Sequence, residues 1–350
     1  MRRTLSTLVA SGLVVVLIAG PAAACGGLVG ANGSINLLRT ATLAAYHEGI
    51  EHYVTSFEFA GGGAEFGSIV PLPGIPSEVK RGGDWTLQRL QQEVAPPVRR
   101  DLALESADSG AVAANAEVIL EAEIDALDIT VLKGGGDEVG LWAKENGFDL
   151  PPDAPEVLDF YAERSPIFMA ARFDIGRAAE FNQGIGDGTP IHVVIPTPNP
   201  WVPLRILGLG RQSQEVIEAD VFLLTDERPI LLPGPGSAGA AEGISIERSE
   251  EASSQLLFDL RSDKGMKWLP VRNMHLTYMK IDATAGQLKH DLAIDATGTT
   301  IPSRVAAGLE EPSDHWPPPA TVPWGLWLMA AVMGLSVLVF LGKGASIQWR

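Results

Sequence analysis

The single cysteine, Cys25, is the residue of this 350-residue chain best suited to covalent chemistry. It follows three alanines at residues 22–24, so removal of an export signal after Ala24 would make it the N-terminal residue. There it could act as a nucleophile activated by its own amine, or carry a lipid. Ala22 stands where a lipidation motif has a large aliphatic side chain, which disfavours the lipid. The structural alternative is a small residue packed beside the first strand.

Two histidines flank a turn-like segment, and histidine is a common zinc ligand. His47 and His52 stand five residues apart with Gly49 between them, whereas the zinc-protease pattern needs histidines four apart on one helical face. Two strands joined by a turn would bring both imidazoles towards Glu48 or Glu51 as an adventitious metal site. A solvated turn is the simpler interpretation, and the sequence predicts neither a metal nor a cofactor.

A run of carboxylates alternating with apolar residues is the second candidate metal site. Clustered carboxylates are the ligands that Ca²⁺ prefers, but no calcium-loop pattern accompanies this run. A solvated face, or an edge strand protected from aggregation by charge, are the alternatives. The four residues are Glu117, Glu121, Glu123 and Asp125.

Two further segments resemble functional motifs but differ from them in residue type or charge. A hydrolase nucleophile elbow needs G-x-S-x-G, but Pro235 replaces the first glycine before Ser237. Three glycines at residues 134–136 resemble a phosphate-binding loop, yet Asp137 and Glu138 place negative charge where the phosphate would lie. The sequence therefore assigns no catalytic residue at either position.

Composition excludes several classes of protein. The chain has 26 Lys and Arg against 43 Asp and Glu, a net charge of -17, so binding to a nucleic-acid backbone is disfavoured. One cysteine excludes an intramolecular disulfide framework and a cysteine-rich metal site. With 46% hydrophobic residues the chain can bury a core, in one large domain or two ordinary ones.

The first 24 residues have the layout of a secretory signal peptide. Two arginines precede an apolar run at residues 13–18, and Gly20 and Pro21 break the helix before the alanines. This run is shorter than the ~20 residues that a bilayer requires, which disfavours an uncleaved anchor helix. We therefore expect cleavage between Ala24 and Cys25.

An apolar stretch at the other end of the chain predicts a single membrane span. Residues 322–342 contain no charged side chain and are long enough to cross the hydrocarbon core as a helix. Trp324 and Trp327 mark one membrane interface and Lys343 marks the other, which places the C-terminus in the cytoplasm. A buried core helix is the alternative, and the terminal position disfavours it.

The two ends together predict a single-pass protein of the cell membrane whose N-terminal domain lies outside the cytoplasm. A break near residues 100–115 would divide that domain into two subdomains. Residues 25–321 carry a charge of -21, which suits a domain held away from anionic lipid headgroups. The expected segments are a signal peptide (1–24), an extracytoplasmic domain (25–302), a proline-rich stalk (303–321), the membrane helix (322–342) and a cytoplasmic tail (343–350).

Strand patterns outnumber helix patterns in the exported part, so the predicted fold class is α+β, β-rich with a few short helices. Gly49 is expected at positive φ in a hairpin turn. Asp84 and Asp153 are expected to cap helices. Helices are predicted over residues 84–94, 137–146, 153–164 and 249–261. Strands are predicted over residues 40–46, 52–60, 117–132, 167–173, 191–195, 203–209, 219–224 and 274–281.

Five segments together carry a resemblance to a known family. They are Cys25-Gly26-Gly27, residues 66–76 (FGSIVPLPGIP), residues 128–132, residues 145–151 (ENGFDLP) and residues 203–206 (PLRI). In combination they resemble the bacterial domain-of-unknown-function family 2330, over about residues 25–300. Members often continue Cys-Gly-Gly with two aromatic residues and a second cysteine, whereas residues 28–30 are Leu, Val and Gly here. The resemblance implies a shared fold and export, and it transfers no catalytic residue.

These observations predict a membrane-anchored extracytoplasmic protein that serves as a binding or cell-envelope interaction module. Its expected partners are the membrane, through the C-terminal helix, and an envelope protein or polymer, with nucleic acid excluded by charge. The alternative is an exported hydrolase that uses Cys25 as its nucleophile. Replacing Cys25 separates the two, because only the hydrolase would lose an activity.

Overall fold

The computed structural model describes residues 27–30, 33–34, 40–57, 66–94, 116–181, 188–235 and 241–312. No helix within these ranges is long and apolar enough to cross a membrane. The stalk is described only as far as residue 312. Several predictions concern residues outside the described ranges and stay predictions: the signal peptide with Ala24 and Cys25, the break near residues 100–115, the span 322–342 with Trp324, Trp327 and Lys343, and the tail 343–350.

The described residues form sixteen strands, five α-helices and one 3-10 helix, so the predicted β-rich class with few helices is confirmed. The helices are α1 (Thr86–Val94), α2 (Gly136–Glu145), α3 (Ala154–Ala162), α4 (Ile175–Glu180), α5 (Ser254–Ser262) and the 3-10 helix (Arg205–Gly208). The strands are β1 (Gly27–Gly30), β2 (Gly33–Ser34), β3 (Thr40–His47), β4 (Ile50–Phe57), β5 (Phe66–Pro71), β6 (Glu78–Arg81), β7 (Glu117–Ile124), β8 (Leu127–Lys133), β9 (Ile167–Phe173), β10 (Thr189–Pro196), β11 (Trp201–Val202), β12 (Val216–Thr225), β13 (Ile230–Leu232), β14 (Ile244–Glu251), β15 (His275–Thr284) and β16 (Leu292–Asp295).

Two large sheets organise these strands. The first has seven strands in the order β14-β15-β12-β3-β4-β10-β6, and the second has six in the order β2-β1-β5-β9-β8-β7. Among the described strands the neighbours pair antiparallel, except that β3 runs parallel to β12 with Thr40 opposite Ala219. A small third sheet has the order β11-β16-β13.

The two large sheets pack face to face, and helices cover their outer sides. Tyr53 of β4 and Val131 of β8 belong to the central core between the sheets. Leu90 of α1 and Leu257 of α5 pack on the outer side of the seven-stranded sheet. Leu158 of α3, together with α2, packs on the outer side of the six-stranded sheet. The result is four layers in the order helix, sheet, sheet, helix, with three separate apolar cores.

Two hairpins form at the predicted strand segments, one as expected and one not. β3 and β4 are joined by Glu48 and Gly49, with φ of 51° and 82°, as the glycine predicted. The prediction of one strand over residues 117–132 is wrong, because β7 and β8 form a second hairpin that turns at Asp125, with φ of 51°. This turn contains neither glycine nor proline, and aspartate tolerates the left-handed region without that signal.

The apolar segment at residues 203–209 is a 3-10 helix rather than the predicted strand. Only Trp201 and Val202, just before it, are extended and pair with β16. Apolar composition alone fits either structure over so short a segment. A remote carboxylate decides the outcome, because Asp291 accepts the N–H groups that open the 3-10 helix.

The prediction of a helix from Ser249 is also wrong. β14 continues to Glu251, and α5 begins only at Ser254. Ser253 caps this helix, since its hydroxyl accepts the Leu256 N–H at 3.1 Å. Ser249 therefore lies on an edge strand, beside β15.

Neither predicted aspartate cap binds the start of its own helix. Asp153 lies at the N-cap of α3, but its carboxylate accepts the Gly210 N–H at 3.0 Å instead. The carboxylate of Asp84 is exposed and pairs with Arg81. Asp263, which follows α5, binds the start of α1 from across the layer. Its donors there are the backbone N–H groups of Asp84 (3.0 Å) and Trp85 (3.0 Å) and the Thr86 hydroxyl (2.7 Å).

Candidate functional site

The two candidate metal-binding histidines have different partners in the structure. His47 Nδ1 lies 2.7 Å from Asp226 Oδ1 at the surface. His52 is buried, its Nδ1 lies 2.9 Å from His192 Nε2, and its ring stacks on Trp268 at 3.6 Å. No cluster of three or more histidine, cysteine or carboxylate groups suited to a metal occurs in the described part of the chain.

The acidic residues proposed as calcium ligands lie along β7 and its turn, and β7 is an edge strand. Three of the four carboxylates form ion pairs with separate cations instead of converging on one point. This arrangement is the edge strand protected by charge that the sequence left open as an alternative. The pairs are Glu117 with Lys133 at 3.4 Å, Glu123 with Arg177 at 3.6 Å and Asp125 with Arg81 at 2.6 Å; Glu121 lies between them.

A cavity of about 740 Å³ opens beside α3 and is of the size that small polar ligands occupy. Four parts of the fold form it: α3 with the two residues that follow it, the first residue of the 3-10 helix, the loop between β15 and β16, and residues 308–311. Its lining is polar and charged with one aromatic ring, and includes Glu156, Asp159, Phe160, Glu163, Arg164, Arg205, Lys289, His290, Gly308 and Glu311.

Phe160 carries two guanidinium groups at the wall of this cavity. The Cζ atom of Arg164 lies 3.2 Å from the ring centroid, and that of Arg205 lies 4.1 Å from it, both within cation–π range. Gly308 packs against the ring edge at φ of 70°, and a β-carbon there would lie 2.4 Å from Phe160 Cζ. The Phe160 ring therefore positions two cations. The chain around residue 308 can pack against this ring only because that residue is glycine.

Arg164 is a cation without a counter-ion at this wall. Its Nε and Nη2 are enclosed and have no hydrogen-bond partner among the described residues. Burial lowers its pKa, and the attraction of Asp291 only partly opposes that shift. Nε and Nη2 form the edge of a guanidinium that binds carboxylates and phosphates with two parallel bonds. A buried donor pair left unbound is costly, so this edge needs an acceptor that the described residues do not supply.

A buried tyrosine–aspartate pair holds the start of the 3-10 helix, and with it Arg205, in place. Asp291 Oδ1 accepts the Tyr161 hydroxyl at 2.8 Å and the Arg205 N–H at 3.0 Å. The Tyr161 oxygen in turn accepts the Ile206 N–H at 2.9 Å. Burial raises the pKa of both Asp291 and Tyr161. The pair thus satisfies the first N–H groups of the 3-10 helix and holds Arg205 at the cavity wall.

The remaining charges of the cavity are mixed. Arg205 pairs with Glu156, which neutralises both. Lys289 and Arg164 form no ion pair among the described residues, and the same holds for Asp159, Glu163 and Glu311. The cavity therefore presents both positive and negative groups to an occupant, and suits a polar occupant better than an apolar one.

Two ionisable groups with strongly shifted pKa values, Glu51 and His52, lie in the cores, away from this cavity. Burial raises the pKa of Glu51 to about 8, with the nearby Trp201 N–H opposing the shift. Burial, and then the charge of Lys80, lowers the pKa of His52 to about 4. These groups are neutral near pH 7 and act on stability rather than on a ligand.

A model of a bacterial protein family matches residues 19–229 of the chain; it is described as "Uncharacterized protein conserved in bacteria", domain-of-unknown-function family 2330. The chain belongs to this family. The family match covers α3 and Arg205, whereas Lys289 and the stalk-side wall of the cavity lie beyond it. No curated protein matches the chain.

Two solved structures are similar to this family member over 74% of its chain. One is titled as the crystal structure of baculovirus P35, with 11% identity and a TM-score of 0.40, over 74% of this chain and 96% of the other. The second is a mutated baculovirus P35 after caspase cleavage, with 8% identity and a TM-score of 0.38, over 74% of this chain and all of the other. Likeness at this level carries no information about the activity of the family.

The sequence patterns did not reveal the cavity of this family member. Tyr161 fits the apolar face of a helix, and its hydroxyl partner Asp291 lies 130 residues further along the chain. Arg205 belongs to the PLRI segment that carries the family resemblance, which was the one available signal. Arg164 follows the end of α3, where a cation is expected from the helix dipole alone.

Proposed function

We propose that this protein is a membrane-anchored extracytoplasmic binding protein, whose cavity beside α3 holds a polar ligand of the cell envelope. The observation that carries the proposal is Arg164, a guanidinium that lines the cavity and forms no ion pair with the described residues. A ligand with an acceptor group would supply the missing counter-charge, and because Nε and Nη2 are closed to solvent they would gain an acceptor only after a local shift of the side chain.

Binding fits the lining of the cavity better than catalysis does. None of the described residues around it is a serine, threonine or cysteine, the usual nucleophiles. His290 Nδ1 lies 3.1 Å from the Gly308 carbonyl oxygen and donates to it, which ties the imidazole to the wall. The cavity therefore contains groups that hold and orient a ligand, and its described lining has no hydroxyl or thiol nucleophile.

The position of the cavity supports a role at the envelope. One wall consists of Gly308 and Glu311, which belong to the first part of the segment predicted as the stalk, residues 303–321. A ligand in the cavity would thus lie at the foot of the domain, on the side from which the chain leaves for the membrane.

The test is a ligand-dependent melting experiment on the full chain in detergent, followed by tryptophan fluorescence. The probes are a panel of amino acids, short peptides, mono- and disaccharides, and glycerol phosphate. At least one probe is expected to raise the melting temperature of the wild type and to lose that effect in Arg164→Gln.

The matched control is Arg272→Gln, which removes an exposed arginine that does not line the cavity. This variant is expected to keep the wild-type response. The proposal is wrong if no probe shifts the wild type, or if Arg164→Gln responds as the wild type does.

A further inference from the structure

A serine and a histidine meet at the edge of the seven-stranded sheet, far from the cavity. Ser249 Oγ lies 2.8 Å from His275 Nε2. Ser249 lies on the edge strand β14 and His275 opens the neighbouring strand β15, and both side chains are partly exposed. The distance is that of a nucleophile and its general base.

A carboxylate lies on the same face of the same two strands. Glu251 is directly opposite His275 in the β14–β15 ladder, and residues directly opposite each other in an antiparallel pair point to the same side. Ser249 stands two residues before Glu251, so its side chain shares that side. Serine, histidine and glutamate therefore lie on one face of the sheet edge, with the serine and the histidine in hydrogen-bond contact.

The surroundings of His275 favour its neutral form. Burial lowers the pKa of His275, and Arg228 lowers it further, while Glu251, Glu227 and Glu250 oppose the shift. A neutral imidazole can accept the serine proton at Nε2, whereas a protonated one cannot.

We propose that Ser249 is a nucleophile for acyl transfer, with His275 as its general base and with Glu251 as a nearby charge that stabilises the imidazolium formed during the reaction. This activity is separate from ligand binding in the cavity, and it gives the exported-hydrolase alternative a nucleophile other than Cys25.

The reaction is ester hydrolysis in two balanced steps. Ser249 Oγ attacks the ester carbonyl carbon while its proton passes to His275 Nε2. The bond to the alcohol oxygen then breaks, and the same proton leaves with the alcohol, so that an acyl-serine remains. Water from the solvent attacks the acyl-serine by the reverse route, which releases the carboxylic acid and restores the serine hydroxyl.

The charges around the pair select the substrate class. Glu227, Glu250 and Glu251 repel an anionic acyl group, and Arg228 and Arg248, which pairs with Glu250 at 3.3 Å, only partly oppose them. The pair lies on an open sheet edge, which admits an ester carried on a larger molecule. We therefore expect neutral or positively charged esters to react faster than anionic ones.

The experiment uses a fluorophosphonate probe, which forms a covalent phosphonyl adduct with activated serines, on the full chain in detergent. Mass spectrometry of the labelled protein is expected to find the adduct at Ser249. Ser245 provides an internal control, because it is exposed on the same strand and its hydroxyl donates to Glu247 at 2.6 Å rather than to a histidine. Ser245 is expected to stay unlabelled.

Two variants separate an activated serine from a merely hydrogen-bonded one. His275→Gln should slow labelling by about 100-fold or more, the usual contribution of a general base, while Ser245→Ala should leave it unchanged. Hydrolysis of p-nitrophenyl butyrate should be lost in Ser249→Ala and retained in Ser245→Ala. The proposal is overturned if the folded wild type is not labelled at Ser249, or if His275→Gln is labelled at the wild-type rate.

Discussion

Glu51 is a carboxyl group enclosed in β4, with Tyr46 and Ile195 as its neighbours on the adjoining strands. Neither of its oxygens has a hydrogen-bond partner among the described residues. Burial raises its pKa from 4.5 to about 8, so the folded protein holds a proton that the unfolded chain releases between those values. Stability contributed by this group is therefore present below pH 4.5 and is lost as the pH rises towards 8.

Glu51→Gln should remove this loss, because glutamine cannot ionise. The free energy of unfolding of the variant, relative to wild type, is expected to rise with pH by up to about 1.4 kcal/mol per unit between pH 4.5 and 8. Urea unfolding at pH 5 and pH 7.5, followed by tryptophan fluorescence, measures the difference. Glu48→Gln, at an exposed carboxylate in the same hairpin, should show no such trend. If the difference in free energy of unfolding between Glu51→Gln and wild type were the same at both pH values, the native carboxyl would be ionised.

The His52–His192 pair acts in the opposite direction. Burial lowers the native pKa values from 6.5 to about 4 for His52 and about 3 for His192, so only the unfolded chain takes up protons on moderate acidification. The pair stabilises the fold fully above pH 6.5, and this contribution is lost as the pH falls towards 4. The stability of the wild type should therefore fall faster than that of His192→Gln between pH 6.5 and 4.

Unfolding curves of both proteins at several pH values test this second prediction. His47→Gln is the control, since His47 is partly exposed and pairs with Asp226 at the surface. If the free energy of unfolding changed equally with pH in wild type and His192→Gln, the buried pair would carry a proton in the native state.

At the scale of elements, Asp263 links helices α1 and α5 on the outer side of the seven-stranded sheet. Its carboxylate is buried and accepts donors from the first turn of α1, as well as the Lys264 N–H at 2.8 Å. Asp263→Ala leaves several donors unpaired and should lower the free energy of unfolding by roughly 3 kcal/mol. Asp84→Ala removes only an exposed ion pair and should cost less than about 1 kcal/mol. Urea unfolding compares the two, and similar losses would show that Asp263 is not the cap of α1.

Elements with a local signal could be predicted from the sequence. Gly49 and the alternating runs beside it indicated the hairpin of β3 and β4, and Gly147, with φ of 84°, marks the end of α2 as its position predicts. Elements decided by remote contacts could not. The 3-10 helix depends on Asp291, and the strand around Ser249 depends on its pairing with β15. For the same reason neither the cavity nor the serine–histidine pair was visible beforehand.

At the scale of the whole molecule, the proposed division of the chain between solvent and bilayer rests on charge and hydrophobicity. Residues 25–321 carry a charge of -21, and residues 322–342 carry none. A chain that ends at residue 312 should be exported and recovered in the soluble extracytoplasmic fraction, while the full chain stays with the membrane after carbonate washing. Fractionation with immunoblotting measures both. The anchoring proposal fails if the full chain is soluble in the cytosol or the shortened chain remains on the membrane.

The parallel pairing of β3 with β12 imposes an order of assembly on the molecule. β3 begins at Thr40 and its partner segment begins at Ala219, about 180 residues later. A nascent polypeptide that crosses a translocation channel from its N-terminus therefore exposes the β3–β4 hairpin long before the neighbouring strand arrives. Strand pairs so far apart in sequence form slowly. Until β12 pairs with β3, the hairpin has an unpaired edge that can hydrogen-bond to other chains. If the chain is exported as proposed, a chaperone that binds this edge on the far side of the membrane would protect the hairpin until β12 emerges.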